Sequence, residues 1–157
     1  MRPISPNLWF NANAEEARDF YLSVFPDAEL VSTAYYTDAG PGKPGDVVTT
    51  TFRIKGTDFT LINGGMDMEY TDALSLLIPC EDQAEVDYYW AKLTEGGQEV
   101  QCGWLKDKYG VSWQVVPVQL EQMMLDPDRA KVNRMIACML QQVKLDLPSL
   151  QAAFDGV

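Results

Sequence analysis

The sequence predicts an α+β fold in which two successive βαβββ units are followed by C-terminal helices. Three observations carry this. β-rich runs alternate with segments of helical period, the order of elements in the first half recurs in the second, and the pattern becomes purely helical after Pro117. At 157 residues the chain is expected to form one domain, with a first unit over 1–66, a second over 72–117 and a helical extension over 118–157.

The first strand is expected over the apolar run Ile4 to Asn11. Asn13 then caps a helix, with Glu16 placed to close a capping box, and Pro26 stops it after Ala17, Phe20, Tyr21 and Val24. Glu29 to Tyr36 alternates as a strand. The loop Ala39 to Gly45 contains a formal G-x-G-x-x-G at Gly40, Gly42 and Gly45, but the β-rich Asp46–Phe52 follows it where a nucleotide loop needs a helix. It is therefore read as a connection between strands, with a hairpin to Asn63 after it. In the second unit Ala73 to Ile78 is a strand. Asp82 caps a helix with Glu85 three residues on, and Val86, Tyr89, Trp90 and Leu93 form its apolar face. A second hairpin, Cys102 to Pro117, turns at Lys106-Asp107-Lys108-Tyr109-Gly110. In its return strand Trp113 faces a hydrophobic layer and Gln114 faces the other way.

The repeat is visible in landmarks. Asn13 with Glu16 answers Asp82 with Glu85, Asp19-Phe20-Tyr21 answers Asp87-Tyr88-Tyr89, and Gly56-Thr57-Asp58-Phe59-Thr60-Leu61 answers Gly110-Val111-Ser112-Trp113-Gln114-Val115. Beyond Pro117, a short helix is expected around Leu120, Met123, Met124 and Leu125. A second, with Asp126 as cap and Pro127 at the first helical position, carries Val132, Met135, Ile136, Met139, Leu140 and Val143. A last one is capped by Asp146. The methionine stripe is read as core or dimer packing.

A net charge of −11 and a pI near 4.3 oppose phosphate backbones and anionic lipid, so no nucleic-acid or membrane partner is expected. No apolar run approaches the roughly 18 residues of a membrane span, and the N-terminus lacks the pattern of a signal peptide. Cys80, Cys102 and Cys138 form an odd set, as expected of reduced thiols in a cytoplasmic protein. The chain has no histidine, which removes the commonest general base and metal ligand.

Several stretches carry a resemblance to a known family. They are Pro6 to Asn11, Asn13 to Ala17 with Phe20-Tyr21, Leu61 to Gly65, Cys102 to Asp107, Ser112 to Pro117, Met139-Leu140, and Val143 to Asp146. With these the chain resembles the PhnB-like group, known as the 3-demethylubiquinone-9 3-methyltransferase family, of the vicinal oxygen chelate superfamily (glyoxalase, bleomycin-resistance and dioxygenase proteins). The resemblance implies a curved, barrel-like mixed sheet enclosing a cavity, and a homodimer to which the apolar C-terminal helices offer surface. It also implies metal ligands, usually two histidines and two glutamates, on the first and last strands of each unit. Here those positions fall on Pro6 (Asn7 if the register shifts by one), Ser75, Thr60 and Gln114, which are poor ligands for a divalent transition metal.

The expectation is therefore a small-molecule-binding protein without a metal site and without a cofactor, its ligand held near Gln114. Ser75 and Thr60 are candidate hydrogen-bonding partners. Phe10, with Leu8, and Ile62 are candidates for an apolar wall, and Trp104 and Cys102 for a strand mouth. Cys102 as a nucleophile lacks an activating base. The alternatives are a metal-independent enzyme acting on a small organic substrate, lyase- or isomerase-like, and the methyltransferase of the family label. The label is disfavoured because no loop suits S-adenosylmethionine.

Overall fold

The computed structural model describes residues 3–157, which divide into two compact units meeting between Glu69 and Tyr70. The first contains β1 (Asn7–Phe10), α1 (Ala14–Val24), β2 (Glu29–Tyr35), β3 (Val47–Ile54) and β4 (Thr57–Asn63). Its sheet runs β1-β4-β3-β2, with β1 parallel to β4 and the other pairs antiparallel. The second contains β5 (Leu76–Cys80), α2 (Gln83–Thr94), β6 (Gln98–Glu99), β7 (Trp104–Lys106) and β8 (Ser112–Pro117), ordered β5-β8-β7-β6 with the same mixture of directions. After β8 come α3 (Val118–Met124), α4 (Arg129–Met139) and α5 (Leu147–Asp155). The α+β repeat expected from the sequence is present, as two separate four-stranded sheets. The glycines that open the last strand of each unit, Gly56 and Gly110, both take positive φ (79° and 85°), as their matched positions in the repeat require.

In the first unit α1 packs on β3 and β4. Ala14, Ala17, Tyr21 and Val24 bury one helix face, and Leu8, Phe10, Phe52, Phe59 and Leu61 bury the facing side of the sheet. Tyr21 stacks on Phe52 and Phe52 on Phe59, each pair with centroids 5.7 Å apart. The start of α1 departs from the sequence expectation, because the Asn13 side chain makes no capping bond. A residue of β4 replaces it: Asn63 Oδ1 accepts the Ala14 N–H at 2.9 Å, while Asn63 Nδ2 donates to Glu15 Oε2 (2.7 Å) and to the Val47 carbonyl (3.0 Å). One buried amide thus ties the helix start to two strands. The second helix follows expectation, with Glu85 N–H donating to Asp82 Oδ1 at 2.9 Å and Glu85 Oε2 accepting from Glu81 N–H.

In the second unit Val86, Tyr89, Trp90 and Leu93 of α2 are buried as anticipated, and α2 packs on β8, β7 and β5. The β7–β8 hairpin is built around Asp107, only 2% exposed. Its Oδ1 accepts from Tyr109 N–H (2.9 Å) and Val111 N–H (3.1 Å), and its Oδ2 accepts from Trp113 Nε1–H (2.9 Å). A buried carboxylate is costly unless its lone pairs are met, and these donors meet them. Trp113, 3% exposed, belongs to the core layer.

The three C-terminal helices have a core of their own: Leu120, Met123, Val132, Met135, Leu145, Leu150 and Phe154. The methionines are packing residues, apart from the exposed Met124. The cap of α4 is Asp128, whose Oδ1 accepts from Ala130 and Lys131 N–H, where Asp126 was expected. Asp126 instead accepts from Asp128 N–H at 2.7 Å, holding the turn ahead of the helix. Asp146 caps α5 as expected, accepting from Ser149 N–H.

The extension also grips the sheet. Cys102 N–H and Gly103 N–H donate to the carbonyls of Gln142 (2.9 Å) and Val143 (2.8 Å), and the Gln83 side chain bridges the Leu145 carbonyl and Leu147 N–H. Gly103 has φ +81°, and a Cβ there would lie 2.9 Å from Leu145 and from the Val115 carbonyl, so only glycine fits.

Asp107→Asn sets an amide N–H against the indole N–H of Trp113. It is expected to lower stability by about 2–3 kcal/mol, the scale of a lost buried hydrogen bond to a charged group. Urea denaturation checks this, and a loss under about 0.5 kcal/mol, typical of an ordinary surface change, is incompatible with this role for Asp107.

Candidate functional site

The two sheets place the sequence-predicted residues differently. In the first unit β1 pairs with β4 so that Leu8 stands beside Leu61, Trp9 beside Ile62 and Phe10 beside Asn63. Phe10 and Leu8, expected to share a wall with Ile62, therefore lie on the opposite face of the sheet from it, in the core against α1. The first strand enters one residue out of the register assumed, and a one-residue slip moves every side chain to the other face. Trp9 takes their place beside Ile62, and its indole N–H donates to the Met66 carbonyl at 2.9 Å. Thr60 is half-buried on this face, its hydroxyl 2.9 Å from that of Thr51 across the β3–β4 pair. Asn7 stands across from Thr60, so Asn7 rather than Pro6 is the first-strand residue on that face.

In the second unit Gln114 and Ser75 come together: Gln114 Nε2 donates to Ser75 Oγ at 2.8 Å. Ser75 lies just before β5, and the residue directly across from Gln114 is Leu77. On the other side of β8, Gln114 pairs with Trp104. A stripe therefore crosses three strands on one face, with half-buried Trp104, then Gln114, then exposed Leu77. Val116 and Pro79 continue that face one pleat on. One pleat back, Lys106 pairs with Asp72 at 2.8 Å, and Ser112 Oγ donates to the same carboxylate oxygen. The Lys106 hydrogen bond, ahead of its charge, holds the Asp72 carboxyl below its ordinary value.

Cys102 is not on this stripe. It sits in the left-handed region with φ +60°, and its Sγ lies 3.6 Å from the Met139 carbonyl, so its place is the seam with the helical extension. Sequence reasoning passed over Trp9, Leu77, Thr51 and Asn63. The Gly64-Gly65 pair was a usable signal for the first, since Gly64 lies so close under the Trp9 ring that a Cβ would meet it at 1.8 Å. Among the described residues, no three His, Cys, Asp or Glu side chains gather as a metal-holding group, and no helix is long and apolar enough to cross a membrane.

Tyr70 stands beside the hairpin turn, 3.9 Å from where a Gly110 Cβ would be. Burial first, and the Asp107 charge second, push its phenol up to about 12 from 10.0. The folded state thus holds this proton more tightly than the unfolded chain. The stability it contributes is complete below pH 10 and is lost as pH rises towards 12. The difference between the ultraviolet pH titrations of wild type and Tyr70→Phe is expected to show one phenol with a midpoint near 12; a midpoint near 10 would contradict this environment.

Two four-stranded βαβββ sheets of this order are the fold of glyoxalase/bleomycin resistance proteins. The model of the 3-demethylubiquinone-9 3-methyltransferase family matches residues 2–116, and the chain belongs to that family. The PhnB protein of Bacillus cereus is 37% identical over 74% of this chain and 100% of its own, with a TM-score of 0.67. More distant structures share the fold. The fosfomycin resistance protein FosX of Listeria monocytogenes, solved with Mn(II) and sulfate, is 16% identical over 78% of this chain and 94% of its own, with a TM-score of 0.55. A glyoxalase/bleomycin resistance protein of Albidiferax ferrireducens is 12% identical over 72% and 95%, with a TM-score of 0.50. No curated protein matches the chain.

Proposed function

We propose that this protein binds a small, partly apolar or aromatic organic molecule on the Trp104–Gln114–Leu77 face of its second unit, without a metal ion. The observation that carries this is the state of Gln114. One amide proton is committed to Ser75, while the carbonyl oxygen has no partner among the described residues and lies between an indole and an exposed leucine. A planar ligand would stack on Trp104 and donate to Gln114 Oε1, the pattern of apolar walls with a few placed polar groups.

The donor types do not fit the superfamily's metal. Gln114 and Ser75 in one unit, and Thr60 with Asn7 in the other, offer only neutral amides and hydroxyls, and Gln114, Ser75 and Thr60 are engaged in hydrogen bonds. No step is therefore derived through a metal, and the reading favours binding over catalysis. The family's name suggests methyl transfer, but the glycine-rich loop after β2 leads into the strand β3 and not into a helix, as a nucleotide-binding loop would. The free cysteines suit a cytoplasmic setting. A homodimer fits the exposed β2, whose Leu30, Val31 and Tyr35 are 53%, 42% and 57% accessible.

A thermal-shift screen of aromatic and heteroaromatic small molecules, with S-adenosylmethionine included, tests the reading. A hit present at about a hundred times its Kd should stabilise the protein by about 2.7 kcal/mol and quench tryptophan fluorescence. Gln114→Ala should abolish that shift while leaving the unliganded melting temperature nearly unchanged. If the shift survives the substitution, the site is elsewhere. One tightly bound divalent metal per chain in the purified protein would overturn the metal-free reading.

A further inference from the structure

A cleft opens within the first unit. It has a volume of about 500 Å³ and is walled by the Asn11-Ala12 turn, Glu15 on the first turn of α1, the β2–β3 loop from Tyr36 to Val47, and Asn63-Gly64-Gly65. That loop carries the glycine pattern the sequence reading set aside. Hairpin loops usually need about 2–5 residues, and the span 36–46 is far longer than closure demands.

The excess is built into a wall. Tyr36 OH donates to the Asn63 carbonyl at 2.5 Å, which fixes the ring. Gly40 and Gly42 lie flat on it, with Cβ positions that would fall 2.9 and 2.4 Å from ring carbons. The loop closes through Tyr36 N–H to the Asp46 carbonyl (2.8 Å), Gly45 N–H to the Tyr36 carbonyl (3.0 Å) and Asp46 N–H to the Lys43 carbonyl (3.1 Å). The glycines therefore serve close packing on an aromatic ring rather than approach to a pyrophosphate.

Three charges border the cleft without neutralising one another. Glu15 gives one oxygen to Asn63 Nδ2 and keeps the other unbonded, and neither Asp46 nor Lys43 forms an ion pair among the described residues. Two carboxylates with one ammonium, beside a half-buried aromatic ring, are complementary to a molecule carrying a cationic and an anionic end. A phosphate-rich ligand fits poorly, because Lys43 is the only cation in the wall among the described residues and the chain carries −11 overall.

We propose that this cleft is a second binding site, for a small zwitterion of the amino-acid class. The ammonium group sits between Glu15 and Asp46, and the carboxylate faces Lys43. The proposal is independent of the Gln114 face and stands or falls separately.

The probes are ω-amino acids from glycine to 5-aminovalerate, with butylamine and butyrate as single-charge controls, added to the full chain while amide NMR spectra are recorded. The expected result is saturable shifts confined to the amides of Ala12, Gly42, Gly45, Gly64 and Gly65 for at least one ω-amino acid, with each control binding about tenfold more weakly. Lys43→Met, Asp46→Asn and Glu15→Gln should each weaken that ω-amino acid by about tenfold. Lys43 and Asp46 are exposed, so their variants retain the fold even if Glu15→Gln disturbs Asn63. The proposal is overturned if no ω-amino acid gives local shifts at concentrations on the order of 10 mM. It is equally overturned if butylamine binds as tightly and Lys43→Met changes nothing.

Discussion

In each unit the strand made last is placed in the interior of the sheet. A helix carries the chain from the first strand to an antiparallel meander, and the meander's end returns beside the first strand, parallel to it: β4 beside β1, β8 beside β5. This one pairing determines which residues become neighbours. It gives Gln114 its neighbour Leu77 and Thr60 its neighbour Asn7, while the antiparallel hairpins supply Trp104 and Thr51 on the other side. Residues far apart along the chain meet only because the parallel ladder sets their register.

The ladder is held at its ends by buried polar side chains. Asn63, at the end of β4, supplies the hydrogen bond that starts α1 and secures β3. Asp107, at the turn into β8, gathers two backbone N–H groups and the Trp113 indole. Both are satisfied to a degree that leaves them little freedom for chemistry, and both fix elements on which a candidate site depends. The helical extension, which lies beyond the family match over residues 2–116, adds a third hold: its Gln142 and Val143 carbonyls accept from Cys102 and Gly103 N–H.

The fold was largely legible. Alternation in Ser112–Val116 put Trp113 in the core and Gln114 opposite it, and the helical spacing of Val86, Tyr89, Trp90 and Leu93 named the buried face of α2. Local chemistry misled at helix starts. Asn13 is a favourable cap by type, yet Asn63 reaches the Ala14 N–H from another strand, and Asp128 outcompetes Asp126 at α4. Phe10 failed as a wall residue because strand alternation states that faces differ, without stating which face is which.

What the sequence by itself determined is periodic and local: the repeat, the strand and helix types, the glycines at Gly56 and Gly110, and the neutral side chains of Thr60, Ser75 and Gln114. What only the tertiary structure decided is non-local. The register of β1 on β4 put Trp9 rather than Phe10 beside Ile62, the hydrogen bond from Gln114 reached Ser75 across a pleat, and the glycine-rich loop folded onto Tyr36 to wall a cleft. Side-chain period is a property of one strand, whereas register and closure depend on two segments meeting, and a linear pattern does not encode that meeting residue by residue.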